Sequence, residues 1–225
     1  MSAPHNFILP PEHCTGCALC SNVCPRDTIR MVFNEEGFLV PHVDIGNCIN
    51  CGLCDKECPA QPAHMEKLYQ LPHKKVNAVA YGGWHTHHDT HLVSSSGGIF
   101  SALAEWTFAR GGCVYGVVWR DKVTAAFCRA ENMQELEPMR GSKYTQAVPD
   151  LVYRKIKTEL SKGRYVLFVG TGCQVYALQR YLRKPFARLL TVDIICAGVP
   201  SRNLLSSYVN YLEKKTWQRT PSSQF

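Results

Sequence analysis

The chain has 225 residues, 45% of them hydrophobic and 10% aromatic, enough for one large domain or two small ones with a buried core. Its longest apolar stretches, such as Tyr165 to Val169 and Leu189 to Ala197, fall far short of the roughly 20 residues a membrane helix needs, so no spanning segment is expected. The net charge of +7 is unevenly shared: residues 1–72 hold 4 Lys/Arg against 8 Asp/Glu, and residues 73–225 hold 21 against 10. A basic second part suits a phosphate-bearing cofactor, an acidic partner or nucleic acid, and the last is disfavoured because no aromatic and basic interleaving is present.

The first residues, MSAPHNFILPPEHC, lack the basic start and apolar core of a secretory leader, which predicts a cytoplasmic location. In that setting twelve cysteines point to metal ligation or redox chemistry rather than a disulfide framework. Eight of them fall in two phrases, CTGCALCSNVCP from Cys14 and CINCGLCDKECP from Cys48, which start 34 residues apart and each end in Cys-Pro. This is an internal duplication. Between the phrases, Thr28–Phe33 and Phe38–Val43 read as strands of a hairpin turning at Asn34-Glu35-Glu36-Gly37.

Both phrases have the spacing C-x2-C-x2-C-x3-C-P, the pattern of bacterial two-cluster ferredoxins. Three thiolates in so tight a loop converge on three corners of an iron-sulfur cube, and the fourth cysteine of each run reaches across to the other cube. Cys14, Cys17, Cys20 and Cys58 are thereby assigned to one 4Fe-4S cluster, and Cys48, Cys51, Cys54 and Cys24 to the second. Gly16 and Gly52 permit close backbone approach, and Pro25 and Pro59 turn the chain after the fourth ligand. A structural zinc site is the competing reading, but it usually sets two CxxC pairs on a longer spacer. Eight thiolate ligands leave no open coordination position, which suits electron relay better than chemistry at iron.

A change of composition over residues 60–75 predicts a boundary between a first domain, 1–70, and a second, 76–215. In the second, Val76–Trp84 is expected as a strand, and the run HTHHDTH (His85 to His91) as a solvated loop rather than a metal site. Ile99–Arg110 has helical spacing, with the serines of Ser94-Ser95-Ser96-Gly97-Gly98 placed to cap it. Strand Cys113–Trp119, helix Asp150–Lys162, strand Tyr165–Val169, helix Gln174–Arg183, strand Leu189–Cys196 and helix Ser201–Lys215 follow, and residues 216–225 read as a disordered tail. The fold class expected is α+β: a two-cluster ferredoxin-like domain followed by an α/β domain with a mixed sheet. Cys173 follows a strand and a Gly-rich turn at a predicted helix start, where a helix N-terminus lowers a thiol pKa and accepts phosphate, which makes it a candidate beside a cofactor. Cys196 is a weaker candidate of the same kind, whereas Cys113 and Cys128 read as small packing side chains.

Four blocks, SSSGGIFSALAEWTFARGGCVYGVVW (94–119), MRGSKYTQA (139–147), VLFVGTGCQVYALQRYL (166–182) and LLTVDIICAGVPS (189–201), resemble the coenzyme F420 hydrogenase/dehydrogenase beta-subunit family. The resemblance implies an iron-sulfur flavoprotein oxidoreductase subunit. Its clusters pass single electrons to or from FAD, which exchanges two electrons with coenzyme F420 or another acceptor, in company with a redox partner protein. It further implies that Ser95, Ser96, Gly97, Gly98, Ser142, Lys143 and Tyr144 lie near the flavin. The chain departs from the family where Gly172 replaces the proline of G-T-P-C-Q and where Ala197 replaces the histidine after the strand cysteine. Family members continue well beyond residue 225, so the resemblance also implies that their C-terminal region is lacking. The alternative reading is a non-catalytic electron carrier or docking module without flavin.

Overall fold

The computed structural model describes residues 11–62, 64–65 and 79–216. The first part is built as its duplicated sequence requires. Each cysteine phrase coils into a loop and then a short helix, α1 (Leu19–Val23) and α2 (Leu53–Glu57), that carries the third cysteine and ends just before the fourth. Strands β1 (Ile29–Phe33) and β2 (Leu39–Val43) pair antiparallel between them, with Met31 opposite Pro41. Pro41 is tolerated because a two-stranded ribbon is all edge. The turn expected at Asn34–Gly37 is present and is closed by the Asn34 carboxamide, which accepts from Phe38 N–H at 2.8 Å.

The second part is a four-stranded mixed sheet in the order β4-β3-β5-β6. Strand β3 (Cys113–Trp119) pairs antiparallel with β4 (Ala125–Ala130) and parallel with β5 (Val166–Thr171), which pairs parallel with β6 (Leu189–Ile194). Helices cover both faces, as an α/β layer arrangement requires to bury the sheet. On one face α6 (Val152–Ser161) and α7 (Gly172–Leu182) bury Tyr153, Ile156, Leu178 and Leu182 against Tyr115, Val166 and Phe168. On the other, α4 (Ile99–Phe108) and the short α5 (Met133–Leu136) pack Ala104 and Leu136 against Val114 and Leu167. Helix α8 (Arg202–Thr216) closes the described chain, and no described helix is long and apolar enough to cross a membrane.

Several sequence expectations are corrected. The described part of the strand expected at Val76–Trp84, residues 79–84, has no regular structure, and among the described residues no strand pairs with it. The polar run after it is not wholly a loop: α3 (His88–Leu92) forms within it, and His85 is buried against Glu105, with Nε2 3.2 Å from Oε2. No serine caps α4; its N-cap is Gly98 in the left-handed region, and Ser94 Oγ donates instead to Thr90 O at 2.6 Å. Helix α7 starts two residues earlier than expected. Gln174 is its third residue and accepts from Thr171 N–H at 3.0 Å, completing a capping box. Most of the expected boundary at 60–75, and residues 217–225 of the expected tail, lie outside the described residues.

The two parts are bound to each other at many points. Asn22, only 2% exposed, spends three of its four hydrogen bonds there. Its Oδ1 accepts from the N–H groups of Tyr153 and Arg154 at 3.1 and 3.3 Å, and its Nδ2 donates to Ala18 O and Asp150 O. Helix α6 has no capping side chain of its own at Leu151, so a residue 131 positions before Tyr153 caps it. Arg154 pairs with Asp27 at 2.6 Å, and Arg180 and Arg183 both pair with Glu57 at 2.9 Å. The acidic first part therefore meets the basic second part of the same chain.

Candidate metal centres

None of the eight cysteines of the two phrases is in a disulfide. The loops repeat in backbone as well as sequence. Gly16 and Asn50 hold equivalent positions at φ +66° and +50°, as do Ala18 and Gly52 at +59° and +69°. Two left-handed residues in one short loop turn its side chains toward a common centre, and an alanine or asparagine in that region is held there at a cost of about 1 kcal/mol. The glycines have a second role at only one of the two sites. A Cβ on Gly16 would collide with the Gln146 amide, whereas one on Gly52 would meet nothing within 4 Å.

Cys14, Cys17 and Cys20 stand around the first loop. Burial pushes their thiols up, Cys17 to about 12, and the neighbouring charge of Cys58 pushes each further in the same direction. The fourth cysteine of the second phrase therefore lies within electrostatic reach of the first three of the first phrase. The reciprocal arrangement is visible directly: one small cavity is lined by Cys48, Cys51 and Cys54 together with Cys24, and closed by Ile29, Val43 and Leu53. Burial raises the Cys54 thiol to about 11. At Cys24 burial also acts upward, but the Thr28 hydroxyl, 3.2 Å away, and backbone N–H groups of residues 26–28 outweigh it and hold the thiol below its ordinary value.

These residues fit two iron-sulfur cubes. The cavity at the second site has an apolar wall and four sulfurs, the donor set of a 4Fe-4S cluster. The sites differ in depth. Cys17 belongs to the core cluster that includes Leu19, Tyr153, Phe168 and Leu178, and the Tyr153 hydroxyl donates to Cys17 O at 2.7 Å. Cys51 is exposed and is flanked by Ile45 and Ile49, at 61% and 58% exposure.

Cys173 lies on the first turn of α7, with Sγ 3.2 Å from Thr171 Oγ1, and its charge is among the influences that raise Cys14 and Cys17 after burial and local hydrogen bonds. It thus stands on the side of the first cluster site. Cys196 is exposed beyond the end of β6. Cys113 is fully buried in β3, as expected, but Cys128 is exposed on β4 rather than packed.

The two blocks carried over for the flavin adjoin. A Cβ on Gly141 would lie 4.0 Å from Ser95 Oγ, and Arg140 Nε donates to Ser101 Oγ at 3.2 Å. Ser95, Ser96 and Gly98 precede the uncapped start of α4, and Ser142 is exposed in the neighbouring loop. Lys143 is folded back: its Nζ donates to the carbonyls of Pro138, Arg140 and Gly141 at 2.7–3.0 Å, and burial lowers its pKa to about 8. A Cβ on Gly97 would strike the Gly83 carbonyl, so this glycine admits the incoming chain at residues 83–85, and His85 N–H donates to Gly97 O at 2.6 Å. Tyr144 is 74% exposed. Sequence reasoning missed Asn22, Tyr153, Arg154 and Arg180. Their partners lie more than 100 positions away, and no local pattern marks them.

Residues 13–61 match the family model of the 4Fe-4S dicluster domain, and residues 163–220 match that of the C terminus of the coenzyme F420 hydrogenase/dehydrogenase beta subunit. The benzylsuccinate synthase activating enzyme of Thauera aromatica is 39% identical over 46 residues, which make up 20% of this chain and 14% of that enzyme. A chain of the F420-reducing NiFe hydrogenase complex from Methanosarcina barkeri, solved with xenon, shares 21% identity at a TM-score of 0.49, over 60% of this chain and 48% of that one. Each match spans less than half of the relative's own length. The chain thus joins a 4Fe-4S dicluster segment, which supports two such clusters, to a segment related to the C-terminal part of coenzyme F420 hydrogenase/dehydrogenase beta subunits.

Proposed function

We propose that the chain is an electron-transfer subunit of an oxidoreductase, in which two 4Fe-4S clusters with exchanged fourth ligands pass electrons one at a time between a redox partner and a flavin on the second part. The observation that carries this reading is the cavity in which Cys24 joins Cys48, Cys51 and Cys54; Cys58 lies within electrostatic reach of Cys14, Cys17 and Cys20. The more exposed second cluster faces the partner, and the buried first cluster faces the second part and Cys173.

The flavin would be FAD. Its phosphates would lie against the uncapped N–H groups at the start of α4 and the hydroxyls of Ser95, Ser96 and Ser142, with Lys143 beside them. Tyr144 would be free to stack on the ring. Bound there, a flavin supplies the conversion between one-electron and two-electron steps, and coenzyme F420 is the acceptor or donor the family resemblance favours. A specific observation supports the second reading, a carrier without flavin: Gly97 is occupied by the chain at Gly83, and the Lys143 ammonium already serves three carbonyls.

Anaerobic reconstitution with iron, sulfide and FAD tests both. About eight iron atoms per chain are expected, with roughly one flavin. Bound zinc without iron would sink the cluster assignment, and eight irons with no flavin would select the carrier. Cys14→Ser and Cys24→Ser should each remove a different cluster from the EPR spectrum, and loss of the same cluster in both would refute the exchange.

A further inference from the structure

The helices α1 and α2 are each five residues long and each ends at a fourth cysteine, Cys24 or Cys58. The last carbonyls of any helix have no partner within it. Here a single arginine from the second part takes them up at each end. Arg154 of α6 donates from Nη2 to Cys24 O at 2.6 Å and to Ser21 O at 3.2 Å, and from Nε to Asn22 O at 2.7 Å. Its remaining nitrogen, Nη1, binds Asp27 at 2.6 Å. Arg180 of α7 donates from Nε to Glu57 O at 2.8 Å and from Nη2 to Lys56 O at 3.2 Å and Glu57 Oε2 at 2.9 Å. The duplicated loops are thus gripped by a matched pair of guanidinium groups that belongs to no duplicated sequence.

We infer that Arg154 and Arg180 are positioning residues for the two clusters, each fixing the exchanged cysteine of one cluster and placing one positive charge beside it. The inference rests on the two-cluster reading proposed above. A planar guanidinium with five donors satisfies several carbonyls at once, which an ammonium on a flexible stem cannot do with the same geometry. Fixing the carbonyl of Cys24, and those of the two residues before Cys58, fixes the direction in which each thiolate leaves the backbone. The charge acts separately. A reduced cluster carries one more negative charge than an oxidised one, and its potential responds to net charge and hydrogen bonding around it. Each arginine should therefore raise the potential of its own cluster and leave the other almost untouched.

The test is an EPR redox titration of the reconstituted full chain carrying Arg154→Gln or Arg180→Gln, with the two signals assigned from Cys48→Ser and Cys14→Ser. Arg154→Gln should shift only the cluster held by Cys24 to lower potential. The expected size is about a tenfold fall in its reduced-to-oxidised ratio at fixed potential, ~59 mV for one electron. Arg180→Gln should do the same only to the cluster held by Cys58. Arg154→Lys and Arg180→Lys should keep both potentials near wild type while the corresponding cluster loses iron to a chelator several times faster. They decide the matter if a glutamine variant fails to hold iron. Unmoved potentials in both glutamine variants, a shift of the same cluster in both, or unchanged iron release in both lysine variants would overturn the inference. A wild-type chain that takes up no iron would instead remove the two-cluster reading on which it rests.

Discussion

The two cysteine loops are near copies in sequence and repeat the same left-handed backbone positions, Gly16 with Asn50 and Ala18 with Gly52, yet they finish in different surroundings. The first is pressed into the core beside Tyr153, Phe168 and α7, and the second keeps Cys51 and its neighbour Ile49 at the surface. What separates them is the face that docks on the second part. Gln146 reaches the first loop, donating to Thr15 O at 3.1 Å and accepting from Leu39 N–H at 2.7 Å, and the second loop has no such cover over Gly52. Identical chelating loops need not behave identically, because burial and neighbouring charge, more than the loop itself, govern the energetics of a buried thiolate centre.

The largest expected disturbance of this contrast comes from Asn22→Ala. It leaves the N–H groups of Tyr153 and Arg154 and the carbonyl of Asp150 without their buried partner. Loss of a cap and of buried hydrogen bonds should cost about 3 kcal/mol, read as a lower urea midpoint of the reduced apoprotein. In the loaded protein the first cluster should become about as sensitive to oxygen as the second. A first cluster still protected in Asn22→Ala would show that docking is not its source.

Iron uptake should separate the sites by pH. Thiols bind iron as thiolates, so ligation releases protons and is favoured as pH rises. Burial raises the thiols of Cys14, Cys17, Cys20 and Cys58 at the first site against smaller, lowering backbone hydrogen bonds, with Cys17 at about 12. At the second site Cys54 is raised to about 11 but Cys24 is lowered. Incorporation at the first site should therefore climb more steeply between pH 7 and pH 9, followed as cluster-resolved EPR intensity. Equal slopes would contradict the difference in burial. The smallest effect is expected from Gln146→Ala, which removes two hydrogen bonds at the edge of the first loop. It should cost about 1 kcal/mol and speed chelation of the first cluster without changing that of the second.

Much of the candidate site was legible in sequence because the proposed cluster ligation is local. A C-x2-C-x2-C loop must converge on a centre whatever surrounds it, and the exchange of the fourth cysteine belongs to the same pattern, with Cys24 lining the cavity of the second loop. The hairpin and strands β3, β5 and β6 were legible for the same reason, their apolar periodicity being a short-range property. Strand β4 and helix α5 went unassigned because Ala125–Ala130 and Met133–Leu136 are too short and too weakly patterned to stand out. The strand expected up to Trp84 and the serine cap of α4 failed because residues 83–85 run against Gly97 and Gly98, a contact no local pattern specifies.

By itself the sequence determined the proposed donor set, eight cysteines in two tight phrases of one spacing, since the first three ligands of each loop lie within a few positions of one another. Only the tertiary structure decided which loop is buried, that Asn22 caps a helix of the other part, and that Arg154 and Arg180 meet the carbonyls beside Cys24 and Cys58. Those contacts join residues more than 120 positions apart. Nothing in the local pattern of either partner selects the other, because the packing of the whole sheet and its helices sets the distance between them.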